Sequence, residues 1–249
     1  MKFKPSFCSI AVLAIAGLFS SCGGGNNNNS QSGNAIPATK LNGSFVFSAN
    51  GTDPADGSYF VAGSFTADGK GGLTGIEDLN LGSGVDSNVS FTGTYQVDSA
   101  GSVSVTISDG TGVPTFFTFP IPSGSVAAKL SYDGTGSGTV QTQNTSGFTN
   151  LGTFAFTLNG QGEGTVTGSG SFTTNAAGSF TAGAENLSDG AFARNNSALN
   201  GTLSPMFSGG RGTAVIGADV FSYYAISQTQ IVLAGLEDTT LIYGTATKQ

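Results

Sequence analysis

Gly43-Ser44-Phe45-Val46-Phe47-Ser48 returns as Gly152-Thr153-Phe154-Ala155-Phe156-Thr157. In both copies large apolar side chains alternate with small or polar ones, the period-two pattern of a half-buried strand. Working outward, Gly63-Ser64-Phe65-Thr66-Ala67-Asp68 recurs as Gly170-Ser171-Phe172-Thr173-Thr174-Asn175. Gly75-Ile76-Glu77-Asp78-Leu79 recurs as Gly183-Ala184-Glu185-Asn186-Leu187, and Thr92-Gly93-Thr94-Tyr95 as Asn200-Gly201-Thr202-Leu203. Gly138-Thr139-Val140 and Gln143 match Gly244-Thr245-Ala246 and Gln249. The offset stays near 105–109 residues, so one unit is used twice. Solenoid repeats run only about 20–50 residues, and this period therefore marks a duplicated domain, with units at 41–146 and 147–249.

Within the first unit, Phe45 and Phe47 share a face, as do Phe91, Tyr95 and Val97, Val103, Val105 and Ile107, and Phe117, Phe119 and Ile121. Val126, Ala128, Leu130 and Tyr132 form a further row. Asp68-Gly69, Asp98-Ser99-Ala100-Gly101, Ser123-Gly124 and Asp133-Gly134 punctuate these rows as turns. About eight strands per unit are expected, and no stretch has a helical period. The predicted fold is all-β: two tandem antiparallel units joined by short hairpins, each an up-and-down β-barrel, with a β-sandwich as the alternative. The 40 glycines suit either, as marks of bulges and sharp bends. Nineteen Phe and six Tyr argue against disorder, since disordered chains are poor in aromatic residues.

The N-terminus has the three parts of an export signal: Lys2 and Lys4, an apolar run from Ile10 to Phe19, and small residues before Cys22. The apolar run is about half the roughly 20 residues that a membrane-spanning helix needs. Leu18-Phe19-Ser20-Ser21-Cys22 resembles the lipobox of bacterial lipoproteins, which implies a signal peptide at 1–21 and acylation of Cys22. Phe19 fits poorly the small-residue rule of ordinary signal cleavage. Cys8 lies inside the signal, so the processed chain keeps one cysteine and no disulfide. Residues 22–40, the lipidated cysteine and a Gly/Asn/Ser-rich stretch, read as a flexible tether with a reach on the order of 20–25 Å.

The processed chain carries six basic residues against fifteen acidic ones, a net charge of −9, and no basic patch, so nucleic-acid binding is not expected. The absence of histidine removes the usual general base and the commonest metal ligand. No nucleophile elbow, phosphate-cradling loop or dinucleotide fingerprint is present. No catalytic residue, metal or cofactor is therefore predicted. Asp53-Pro54-Ala55-Asp56-Gly57 and Asp68-Gly69-Lys70 are acidic turns that do not match a calcium loop. Gly209-Gly210-Arg211-Gly212 reads as a turn. Glu77 and Glu185 are the candidate ligand-binding residues, because they hold equivalent places in the two units. They read either as solvated strand-end carboxylates or as ligand-orienting groups at a barrel mouth.

The G-S-F-x-F-S opening, the G-S-F-T-A-D-G hairpin with its following E-D, the T-G-T-Y strand and the closing G-T-V-x-x-Q resemble a group of uncharacterised Gly-rich tandem-repeat bacterial lipoproteins of acidobacterial type. That resemblance covers Leu41 to Gln249 and the lipobox, and it implies a surface or periplasmic β-domain protein without assigned catalytic residues. The expectation is a lipid-anchored, extracytoplasmic, non-catalytic binding or structural module. Its membrane partner is reached through the N-terminal lipid, and the outer membrane is expected, since Gly23 is not the aspartate that retains lipoproteins in the inner one. Two alternatives are a carrier of a small molecule or glycan in a barrel mouth, and a hydrolase working with carboxylates alone. A protein partner is a further option. An open lumen would favour the carrier; a lumen packed with Phe would count against it.

Overall fold

The computed structural model describes residues 41–249 apart from 56, 82, 83, 111, 163, 191, 238 and 239. The predicted signal, Cys22 and the tether lie outside the described residues. The first unit has eight strands: β1 (Asn42–Asp53), β2 (Gly57–Asp68), β3 (Gly72–Asn80), β4 (Val85–Val97), β5 (Ser102–Ser108), β6 (Thr115–Pro120), β7 (Ala128–Tyr132) and β8 (Gly136–Thr142). Each pairs antiparallel with the next, and β8 returns to β1 to close a barrel. Closure leaves no unpaired sheet edge.

Turn chemistry sets these hairpins. Asp68 Oδ1 accepts hydrogen bonds from the amides of Lys70 (2.7 Å) and Gly72 (2.9 Å), and Asp98 treats Ala100 and Ser102 in the same way. Asn175, the counterpart of Asp68, holds Ala177 and Ser179. The acidic turn at Asp68 is thus satisfied by its own backbone.

The alternating rows point inward as expected. Phe45, Phe47, Phe65, Phe91, Phe117, Phe119 and Tyr132 fill the lumen, with ring centroids 5.1–6.3 Å apart. Val126 does not belong to its predicted row: it is 67% exposed and lies before β7. The strand glycines do more than mark bends. Gly63 sits opposite Phe47 and Gly75 opposite Phe91, and a methyl group at either place would fall 2.5 or 2.3 Å from the facing ring. Eight strands enclose just enough space for side chains, and pairing the largest with the smallest lets the rings meet.

The second unit comprises β9 (Gly152–Gln161), β10 (Thr165–Thr174), β11 (Phe180–Ser188), β12 (Ala193–Ala198), β13 (Gly201–Leu203), β14 (Arg211–Ile216), β15 (Asp219–Ala225), β16 (Gln230–Gly235) and β17 (Leu241–Lys248). Its nine strands form an open, half-barrel sheet whose edges are β12 and β13. These two are consecutive in the chain and match the two halves of β4: Gly201 faces Ile216 as Gly93 faces Ile107. Across the gap, Leu199 N bonds Gly183 O and Leu203 N bonds Gly178 O, so the opening is a break within one strand of the same meander.

The two units pack face to face. Val46, Phe60 and Ala62 on the outside of β1 and β2 meet Tyr224, Ile226, Val232, Ala234 and Leu241 in a separate apolar cluster. Phe60 stacks on Tyr243 with ring centroids 4.3 Å apart. The strands that build this junction are therefore buried on both faces.

Candidate functional site

Glu77 and Asp78 lie in β3 opposite a bulge in β4. Between Glu77 and Leu79 the pairing with β4 shifts by one residue, and β11 shifts in the same way between Glu185 and Leu187. The extra residue of each bulge lies on the facing strand: Ser87 and Asn88 of β4 together oppose Asp78, and Asn195 and Asn196 of β12 oppose Asn186. Asp78 and Asn186 each accept a hydrogen bond from an asparagine amide across the pair, Asn88 (2.8 Å) and Asn196 (2.9 Å) respectively. Both asparagines have left-handed backbone, with φ of 55° and 49°, a conformation Asn tolerates better than most residues.

Strand alternation sends the neighbouring carboxyls to opposite faces of β3. Glu77, in phase with Leu73, is buried in the first barrel, where the Tyr132 hydroxyl bonds its carboxyl and Oε2 has no partner. Burial, reinforced by Asp109, Asp78 and Asp86, pushes the Glu77 carboxyl up to about 8. Glu185 is equally buried but faces Arg194 at 3.3 Å, and Arg194 holds the place in β12 that Asp86 holds in β4. Burial raises the Glu185 carboxyl and Arg194 opposes the rise. Neither is the solvated strand-end carboxylate that sequence allowed, and the structure does not bring them together: each sits in its own unit with its own partners.

Asp78 points outward into the junction. Arg211 donates from Nε to Asp78 Oδ2 (2.8 Å) and from Nη2 to Oδ1 (2.7 Å), and the Tyr224 hydroxyl donates to Oδ2 as well. Burial would raise the Asp78 carboxyl, but the hydrogen bonds from Arg211 and Tyr224 outweigh it and hold the group below its ordinary value. Asn80 extends the lock, its amide donating to the Gly235 (3.0 Å) and Glu237 (3.2 Å) carbonyls. From the sequence alone, Arg211 reads as part of a plain turn and Asp78 does not stand out. The available signal was the exchange of Asp78 for Asn186: the charge is present where the outer face of the strand meets an arginine of the other unit, and Asn186 has no such neighbour among its hydrogen-bond partners.

Beside this lock runs a groove of about 410 Å³ between the outer face of β2–β4 and the 3-10 turn Ser208–Gly210. The turn is fixed by Gln143, whose amide donates to the carbonyls of Gly209 (2.9 Å) and Ala225 (2.7 Å). Gly209 and Gly210 both have φ of 74°, which favours glycine, and Gly209 rests against Ser64 and Ile76. A second, smaller hollow of about 200 Å³ lies on the outside of β10–β12 around Asn186. Among the described residues no three His, Cys, Asp or Glu side chains converge to hold a metal ion.

No family model matches the chain, and no curated protein does. Among solved structures, a candidate AttH from Nitrosomonas europaea covers 82% of this chain and 92% of its own at 7% identity, with a TM-score of 0.26. Kievitone hydratase from Nectria haematococca covers 86% and 93% at 11% identity, with a TM-score of 0.23. Likeness at that level carries no functional argument.

Proposed function

We propose that this chain is a lipid-anchored, extracytoplasmic protein that acts without catalysis, as a binding or structural module presenting its outer faces. The observation that carries this reading is the interior of the first barrel. Aromatic rings in mutual contact occupy it, so a ligand has no room there, and the barrel-mouth carrier gives way to contact from outside. The carboxyl best tuned for proton transfer, Glu77, is 6% exposed and lies among those rings, where a substrate does not reach it. A hydrolase built on carboxylates thus has no support from this residue.

Anchoring rests on Leu18 to Cys22 and on the tether that follows. Several acyl chains on Cys22, at about 0.8 kcal/mol per buried methylene, would hold the body at a bilayer. Mass spectrometry of the processed N-terminus, with and without the lipoprotein signal-peptidase inhibitor globomycin, tests it. Cys22 should be the first residue and carry the lipid, and Cys22→Ser should abolish the modification. An unmodified terminus at another position would overturn the assignment.

A further inference from the structure

We infer that the groove between the two units binds a neutral carbohydrate, a reading that rests on the module having a binding role. The outer face of the first barrel presents hydroxyls in register. Ser44, Thr66, Thr74, Thr92 and Ser108 stand opposite one another on the five successive strands β1–β5. One step along, Ser64, Ile76 and Ser90 form a shorter row with the isoleucine at its centre. Adjacent strands lie about 4.8 Å apart and residues of one face about 6.8 Å apart along a strand, so the hydroxyls make a lattice.

Ser64 is buried and Ser44 pairs with Thr66 at 3.1 Å, but the exposed hydroxyls of Thr74, Ser90 and Thr92 can each donate and accept, as the hydroxyls of a sugar do. No charged side chain lines the groove, while the half-buried Ile76 offers an apolar surface to the C–H face of a pyranose ring. Phe207, 62% exposed, immediately precedes the turn that forms the far wall. An exposed aromatic residue next to neutral hydroxyls suits a ligand that is polar at its edges and apolar on its faces. A volume of about 410 Å³ falls in the range of small-molecule sites. The net charge of −9 disfavours an anionic polymer, and no lining carboxylate would attract a cation.

The duplication supplies an internal comparison. In the second unit the places of Thr74, Ile76 and Ser90 are taken by Ala182, Ala184 and Ala198. The second unit keeps hydroxyls at the places of Ser44, Ser64 and Thr66, in Thr153, Ser171 and Thr173, but loses them at Thr74 and Ser90, both of which line the groove in the first unit. The far wall of the groove is already in place before any ligand arrives, held by Gln143 and, one residue on, by the Arg211–Asp78 pair.

The test is isothermal titration of the full processed protein in a zwitterionic, sugar-free detergent. The probes are cello-, xylo-, malto- and chito-oligosaccharides, with heparin and polygalacturonate as charged comparators. At least one neutral oligosaccharide should bind saturably. Thr74→Arg, an exposed site, should weaken binding at least tenfold and Phe207→Ala severalfold, while Ala182→Arg at the matching place in the second unit should leave it unchanged. No saturable neutral binding, a preference for the charged polymers, or indifference to Thr74→Arg would overturn the proposal. So would concentration-dependent dimerisation abolished by Thr74→Arg, which would assign the groove to a second copy of this chain. Circular dichroism melts confirm that each variant is folded. The mass of the N-terminal peptide, read on the same sample, separates a failure of anchoring from a failure of sugar binding.

Discussion

Two acidic neighbours in β3 meet opposite fates, and the difference has a pH signature. The Glu77 carboxyl is raised from 4.5 in the unfolded chain to about 8 in the barrel, so the folded state holds the proton more tightly. Its contribution to stability is full below pH 4.5 and is lost as pH rises towards 8. Glu77→Gln keeps the shape, cannot ionise, and should recover on the order of a few kcal/mol at pH 8 relative to the parent, with little change at pH 4. Urea denaturation at both pH values reads this directly; equal effects at the two would contradict it. The equivalence of Glu77 and Glu185 was legible in the sequence. Their burial was not, because it depends on the face each strand turns inward and on the charges nearby, Asp109, Asp78 and Asp86 in one unit and Arg194 in the other.

At the scale of strands, alternation foretold which residues face inward, and it failed where a row ran on into a loop at Val126. A subtler signal lay in the runs without alternation: Tyr59-Phe60-Val61-Ala62, Phe221 to Ile226, and Ile231 to Ala234. Strands buried on both faces read as continuous apolar stretches. These segments are the ones that join the two units, so the junction could have been placed from sequence. The glycines opposite Phe rings were also present as G-S-F repeats, but their role needs the register to be known. Gly63→Ala would drive a methyl group against the Phe47 ring and should cost about 1–3 kcal/mol. Ser48→Ala, on the outward face of β1, should stay within about 0.5 kcal/mol. Thermal melts of the two variants should separate clearly, and coincident melts would count against the packed lumen.

For the whole molecule, the duplication has diverged so that only the inner faces stick. Where the first unit has Phe60, Ala62 and Asp78, the second has Thr167, Ser169 and Asn186, which line a shallow polar hollow. Where the second unit has Val232 and Ala234, the register places Lys129 and Ser131 in the first. Each outer face of the pair is thus polar. The lumen of the first barrel is filled, and among the described residues the two units share one buried ion pair, so they form a single body. Differential scanning calorimetry of the parent and of Asp78→Ala is the most direct test of that fusion. The parent should unfold in one cooperative transition. Asp78→Ala, which leaves Arg211 buried without its partner at a cost of about 3–5 kcal/mol, should split it into two. Two transitions in the parent, or an unaltered single transition in the variant, would contradict a molecule locked at Asp78 and Arg211.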